Sequence, residues 1–293
     1  MSITIALAGG KSLEDGVRTL FADAGITIGS NTGSTHSVNF RDYPSLQEGI
    51  FLKPMRIPFL VENGTCDVGI TGEDTVREHG ASVEILTRLA FGRSTEGETR
   101  GVLFCAQGDT LDKIEDIPKG TQVLSEYPRL TRAFFAERGL AVDVVPSPGS
   151  AEAEVPRCYR LGVVLSETGR SLRGNTLRPL ATLFTSATCL VANTQALANP
   201  TKRDAIENLQ ALLLGVLEAR GKILLWMNVP AASVVAVTKI LPSLGSPTIA
   251  PLADGGSSIS TVMRKSEFNG LLPHLRKLGA TGFLQTPIGS VIP

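Results

Sequence analysis

The stretch "GVVLSETGRSLRGN", Gly162–Asn175, sets the frame for the whole chain. An apolar run ends in Ser-Glu-Thr-Gly-Arg-Ser, and a helical pattern follows at once. A strand that feeds a glycine turn and a helix start aims several backbone N–H groups at one point, the arrangement by which many folds hold phosphate. Glu167, Thr168, Gly169, Arg170 and Ser171 bring backbone donors, two hydroxyls and a guanidinium, a set that suits a phosphate monoester. The same residues also make an ordinary turn, so the stretch alone leaves both readings open.

The strand–turn–helix rhythm repeats outward in both directions, which predicts an α/β fold. Upstream, Ser2 to Ala8 reads as a strand. Leu13 to Ala24 reads as a helix capped by Ser12 and stopped by Gly25. Gly49 to Leu52 is a strand, "MRIPFLVENG" a short helix and "DVGIT" a strand; Glu73 to His79 is a helix that Gly80 ends. A second unit starts near Gly97. Its strands are "RGVLFCAQ", "TQVLSEY", "AVDVVPS" and "GVVLS". Its helices are "PRLTRAFFAERG", with Pro128 first and Gly139 last, and the short "AEAEVPR". The strand-rich "LATLFTSATCLVAN" returns the chain to the first unit. Two α/β lobes result, 1–97 with 178–198 and 98–177, and a cleft between lobes is a natural ligand site. A helix over 199–221 links them to the tail, its apolar residues Ile206, Leu209, Leu212, Leu213, Val216 and Leu217 spaced for one face. The tail, 222–293, reads β-α-β-β-α-β, the order of a ferredoxin-like sandwich.

Composition excludes several classes. Lys plus Arg and Asp plus Glu are 28 each, so no net charge favours nucleic acid or a membrane surface. Cys66, Cys105, Cys158 and Cys189, and His36, His79 and His274, are scattered without zinc spacing. They read as reduced thiols and isolated imidazoles of a cytoplasmic protein. "MSITIALAGGKS" lacks the basic and long apolar regions of a signal peptide, and no stretch approaches the length of a membrane span.

Other candidate positions sit at predicted strand ends. Gly10 and Lys11, after the first strand, make a second anion site or simply a helix start. Lys53 and Arg56 are possible clamps on a polyphosphate, or surface cations. Thr71, Gly72 and Asp74 can meet a sugar or an amine, or only begin a helix. Tyr127 can stack on a base or pack beside Pro128. Glu152 and Glu154 can bind ribose hydroxyls or Mg²⁺, or form a solvated face.

Together "NGTCDVGITGEDTVREHG", "SEYPRLTRAFFAERGLAVDVV", "LPSLGSPTIAPLAD" and "LPHLRKLGATGFLQTPI" resemble the ATP phosphoribosyltransferase family in its long form. The resemblance covers most of the chain. It implies two lobes like those of type II periplasmic binding proteins, plus a C-terminal ferredoxin-like, ACT-like domain. It implies transfer of phosphoribosyl from phosphoribosyl pyrophosphate to N1 of ATP, with Mg²⁺, as the first step of histidine biosynthesis. It further implies feedback inhibition by histidine, and dimers that form hexamers. By family position, Thr168, Gly169, Arg170, Ser171 and Leu172 hold the 5-phosphate, with Glu152 and Glu167 nearby. Gly10, Thr71, Gly72 and Asp74 fall to ATP; Lys11, Lys53 and Tyr127 fall to catalysis. Asn228, Leu244 and Thr248 fall to histidine.

The chain also departs from the family pattern. Where the family reads "ADAIVDLVSTGTTL", Arg160 and Val164 stand at the two aspartates, the second of which grips the donor ribose. Lys53 stands for an arginine and Arg56 for an aspartate. A second reading therefore stays open: a member that is a silent binding or regulatory subunit, or that acts on another base.

Overall fold

A computed structural model describes residues 2–30, 36–89, 98–149, 151–167 and 169–292. The chain forms two compact units, Met1–Gln210 and Ala211–Pro293.

The first unit opens with β1 (Ile3–Ala8), α1 (Lys11–Asp23), β2 (Thr27–Ser30), β3 (Ser37–Arg41) and β4 (Leu46–Leu52). It continues with α2 (Ile57–Glu62), β5 (Val68–Gly72), α3 (Glu73–His79) and β6 (Glu84–Arg88). The second lobe holds β7 (Glu98–Ala106), β8 (Thr121–Ser125), α4 (Pro128–Glu137), β9 (Val142–Pro146), α5 (Ala151–Glu154), β10 (Leu161–Ser166) and α6 (Arg170–Gly174). Then β11 (Leu177–Ala192), α7 (Thr194–Ala198) and α8 (Pro200–Ala219) return the chain.

One path of strands runs β2-β3-β4-β1-β5-β11-β7-β10-β8-β9, with β6 paired to β11. In the first lobe β1 lies parallel to β4 and β5. In the second, β8 lies parallel to β10 and β9. The core strands read as unbroken apolar runs because both faces are covered: Ile3, Ile5, Ala6, Leu7 and Ala8 of β1 are all buried. The second lobe packs one face of its sheet around Leu103, Val123, Phe135, Leu161 and Val163. The other face packs around Val102, Phe104, Leu124, Val164 and Leu172. The 16-residue β11 is antiparallel to β7 over its first part and to β5 over its last, so a single strand spans both lobes. This architecture is the pair of type II periplasmic-binding-protein-like lobes expected above.

The second unit contains β12 (Lys222–Val229), α9 (Val234–Ile240), β13 (Thr248–Pro251), β14 (Ser257–Arg264), α10 (Lys265–Lys277) and β15 (Thr281–Pro287). Its sheet order β13-β14-β12-β15, antiparallel throughout, is that of a ferredoxin-like sandwich. β12 alternates as a half-covered strand must: Ile223, Leu225, Met227 and Val229 enter the core with Val237, Phe268 and Leu275, while Trp226 and Asn228 lie on the other face.

Several local readings need correction. Helix α1 is not capped by Ser12: it starts at Lys11 with Gly10 as its N-cap, at φ 108°, and no side chain caps it. That backbone conformation suits glycine alone, so the helix begins where the chain can turn. β2, β3 and β6 went unread because "TIGS", "SVNFR" and "EILTR" lack a sustained apolar run. β4 begins at Leu46, ahead of the expected Gly49.

The N-terminal end of β5 is tied down by a buried carboxylate. Asp67 is 6% exposed. Its Oδ2 accepts from the Thr4 N–H at 3.0 Å and the Thr4 hydroxyl at 3.3 Å, and its Oδ1 accepts from Lys202 Nζ at 2.6 Å. This joins β1, β5 and the first turn of α8. Removing one side of such a cluster leaves the others desolvated and unpaired. Asp67→Ala is expected to lower unfolding free energy by about 2–4 kcal/mol, read from urea denaturation of the full chain.

Candidate functional site

The parallel strands of each lobe end at the residues that the sequence singled out, as in open α/β sheets generally. In the first lobe β1 delivers Gly10 and the start of α1, β4 delivers Lys53, and β5 delivers Thr71 and Gly72. The Gly9 N–H donates to the Leu52 carbonyl at 2.6 Å, which joins the β1 and β4 ends directly. A Cβ on Gly9 would lie 3.1 Å from that carbonyl oxygen, so a side chain there would crowd the junction. Lys53 is exposed just beyond it, and Arg56 stacks its guanidinium 5.0 Å from the Phe59 ring centre. Lys11 begins α1 beside this junction; its side chain lies outside the described residues.

Thr71 is fully buried, and its hydroxyl bonds to the Pro54 carbonyl at 3.0 Å and the Thr75 hydroxyl at 2.8 Å. It therefore fixes the turn that follows Lys53. Asp74, 2% exposed, heads α3. Its N–H donates to Ser186 Oγ at 3.0 Å, and the Ser186 hydroxyl donates back to its carboxylate. The same carboxylate lies close enough to Tyr127, the N-cap residue of α4 in the second lobe, to act on its phenol.

Tyr127 is 7% exposed and meets Phe184 of β11 edge-on, with ring centres 5.3 Å apart. Phe184 lies against Gly101, where a Cβ would come within 2.3 Å of its ring, so β7 needs glycine at that point. Burial first, and the Asp74 carboxylate second, push the Tyr127 phenol far above its ordinary value. It stays protonated at any working pH and enters the site as a donor, not as a base.

In the second lobe β8 delivers Tyr127, β9 precedes Glu152, and β10 delivers the loop 167–171. Thr168 lies outside the described residues. Gly169 takes φ 67° as the N-cap of α6, and its N–H donates to Ser166 Oγ at 3.0 Å. The Ser171 hydroxyl donates to Glu152 Oε1 at 3.0 Å, which ties the loop to α5. Arg170 and Ser171 are exposed, Glu167 and Glu152 are half-buried, and Leu172 is buried as the apolar foot of the loop. Val164, 2% exposed, packs beneath this loop with Leu172.

Arg160 lies at the other end of β10, just before Leu161, and forms a two-pronged ion pair with Asp109, both contacts at 2.8 Å. Arg178 adds a bond to the Asp109 carbonyl at 3.1 Å. This latch anchors the strand away from the loop. Ser186 and Phe184 were not singled out in the sequence, since both lie inside a long apolar and Thr-rich run.

In the second unit a cavity of about 320 Å³ is lined by Asn228, Pro230, Leu252, Asp254, Gly256 and Thr281, among others. Asn228, one of the three residues that the resemblance assigned to histidine, is among them. Leu244 and Thr248 are exposed elsewhere on the unit and do not line this cavity. Asp254, which the sequence did not single out, lies in the hairpin that the Asp-Gly-Gly turn signal in "LADGG" marks. Among the described residues no three His, Cys, Asp or Glu side chains cluster as metal ligands. No described helix is long and apolar enough to cross a membrane.

Comparison with known proteins gives a consistent result. A family model described as ATP phosphoribosyltransferase matches residues 53–215. One described as the C-terminal domain of the same family matches residues 219–290. An ATP phosphoribosyltransferase of Chlorobium chlorochromatii is 34% identical over 96% of this chain and 95% of its own length. Those of Koribacter versatilis and Geotalea daltonii are 32% and 34% identical, each over 96% of both chains. Among solved structures, a chain of the ATP phosphoribosyl transferase (HisG:HisZ) complex from Thermotoga maritima superposes with a TM-score of 0.59 at 22% identity. It covers 72% of this chain and 96% of that one, and shares the fold.

Two solution properties follow from the side-chain environments. Arg160, through its hydrogen bonds, holds the Asp109 carboxyl below its ordinary range. A depressed folded-state value stabilises above the ordinary Asp range and loses that contribution as pH falls through the lowered value. Arg160→Ala is expected to shift the acid unfolding midpoint upward, read by circular dichroism. Burial pushes Cys66 up to about 11 and Cys189 up to about 12, and raises Cys105. All three are buried while Cys158 is exposed. Ellman's reagent at pH 8 is expected to modify one thiol rapidly in the folded protein and the others only after denaturation.

Proposed function

The chain belongs to the ATP phosphoribosyltransferase family, and on that premise we propose that it transfers phosphoribosyl from phosphoribosyl pyrophosphate to N1 of ATP, the first step of histidine biosynthesis. The observation that carries this reading is the convergence of strand ends. Gly72 at the end of β5 pairs with Thr188 of β11, and Ser166 at the end of β10 pairs with Arg100, which itself pairs with Thr185 of β11, so the segments that follow the two strands start from neighbouring points of one shared strand.

The chemistry asks little of acids and bases. The adenine ring nitrogen is already a nucleophile, and C1 of the donor loses pyrophosphate as the new C–N bond forms. Rate comes from in-line placement and from neutralising the leaving group. The backbone donors of Gly169–Ser171 and the Arg170 guanidinium suit the 5-phosphate. Lys53, and Lys11 at the start of α1, supply positive charge for the polyphosphates. Glu152, and Glu167 beside the loop, are the carboxylates suited to the ribose hydroxyls. Glu152 and Glu167 would be the carboxylates to hold Mg²⁺, which would supply neutralisation of the leaving diphosphate's charge. On the first lobe Asp74 acts through Tyr127 and Ser186, and its carboxylate fills the space beside Gly72, 2.1 Å from where a Cβ would stand.

The tail is assigned to feedback by histidine. Asn228 and Asp254 line its cavity and offer an amide and a carboxylate to an amino-acid ammonium. The assembly proposed is a homodimer that forms hexamers, in the cytoplasm. A second reading is favoured by one observation: Arg160 is held by Asp109 and Val164 is packed in the core, so neither replaces an aspartate's grip on the ribose. That reading makes the chain a silent regulatory partner or directs it to another base.

Purified protein with ATP, phosphoribosyl pyrophosphate and Mg²⁺ is expected to build up phosphoribosyl-ATP, followed by its absorbance. No product at high enzyme concentration would favour the silent reading instead. Calorimetry with histidine is expected to give saturable heat that Asp254→Ala reduces about tenfold or more in affinity; an unchanged titration in the variant would remove this cavity from the assignment.

A further inference from the structure

Helix α3 carries two carboxylates four residues apart, and both reach across to the other lobe. Asp74 meets Tyr127, as described. Glu78, one turn on, accepts the N–H of Arg129 at 2.8 Å with Oε1 and the N–H of Leu130 at 2.9 Å with Oε2. These are donors of the first turn of α4, which has no side-chain cap of its own. Orphan N–H groups at a helix start need an acceptor and favour negative charge. Here the acceptor comes from the opposite lobe.

Two more contacts narrow the geometry. Arg129 Nη1 donates to the His79 carbonyl at 3.3 Å. Its guanidinium occupies the place a side chain would need at Gly80, where a Cβ would fall 1.8 Å from that nitrogen. Within its own lobe the same turn is wired by Ser125, whose Oγ accepts from the Tyr127 N–H at 2.9 Å and bonds Thr131 Oγ1 at 2.8 Å. The start of α4 is thus a rigid block gripped from the first lobe by Glu78 at one point and Asp74 at another.

We propose that Glu78 is a positioning residue for group transfer: by capping α4 from the other lobe it sets the separation of the lobes and holds Tyr127 against Asp74. This rests on the reaction proposed above. The donor loop belongs to one lobe and the candidate acceptor residues to the other, so lobe separation sets the distance between reacting atoms. Each substrate's own contacts are left in place. Loss of the grip therefore acts on kcat more than on KM.

The test compares wild type, Glu78→Ala and Glu78→Gln by steady-state kinetics and by hydrogen exchange at single-residue resolution. Glu78→Ala is expected to accelerate exchange of the Arg129 and Leu130 amides about tenfold or more, with other amides unchanged. Its kcat is expected to fall about tenfold or more with each KM changed less than about threefold. Glu78→Gln keeps one oxygen acceptor at the same reach and sets an NH₂ against the other N–H, and is expected to recover the protection of one of the two amides and part of kcat. Unchanged exchange at 129 and 130, unchanged kcat in a variant that has lost the protection, or a loss confined to KM would each overturn the proposal. So would global unfolding of both variants. An active wild type with an unaffected Glu78→Ala removes only the positioning role, whereas a wild type without transfer removes the reaction and that role with it.

Discussion

The buried contact among Asp74, Ser186 and Tyr127 is the constraint on which the arrangement of the two lobes depends. A carboxylate 2% exposed to solvent needs hydrogen-bonding partners within the protein. Here Ser186, the bonded partner, comes from the strand shared by both lobes, and Tyr127 of the second lobe lies against the same carboxylate. The surroundings of a single side chain therefore join three elements at once: α3, β11 and the start of α4. Phe184 and Gly101 complete the block by packing, the ring filling the space that the missing side chain leaves. The candidate substrate residues are arranged around this block at the strand ends.

How much of this was legible in the sequence depends on the range of the interaction. The α/β alternation was readable because buried parallel strands must be continuous apolar runs, as in Ile3–Ala8 and Val68–Gly72. The tail was readable because its β-α-β-β-α-β order is punctuated by glycine and proline turns. The polar strands β2, β3 and β6 were not, since they hold their place through neighbours and not through pattern. The strand-end residues were likewise visible as turns before helices. Their partners were not: Asp74 and Ser186 are 112 residues apart in the chain, and Leu130 and Glu78 are 52 apart. No local spacing encodes such a pairing; it arises only when β11 crosses between the lobes.

The departures from the family pattern acquire physical content in the same way. Arg160 is bound to Asp109 at the far end of β10 and stiffens the strand that carries the loop. Val164 is part of the apolar foot under that loop, with Leu172. The loop itself keeps the left-handed glycine, the Ser166 support and the Glu152–Ser171 tie. The loop geometry can thus be kept while the residues upstream of it change, provided that the strand beneath stays anchored.

The most direct measurement is a crystal structure of the full chain with phosphoribosyl pyrophosphate bound. The account predicts the 5-phosphate against the backbone N–H groups of Gly169 to Ser171, with Asp74 and Tyr127 still joined and the diphosphate turned toward Lys53. A 5-phosphate seated elsewhere, or a bound state in which Asp74 and Tyr127 have parted, would contradict it.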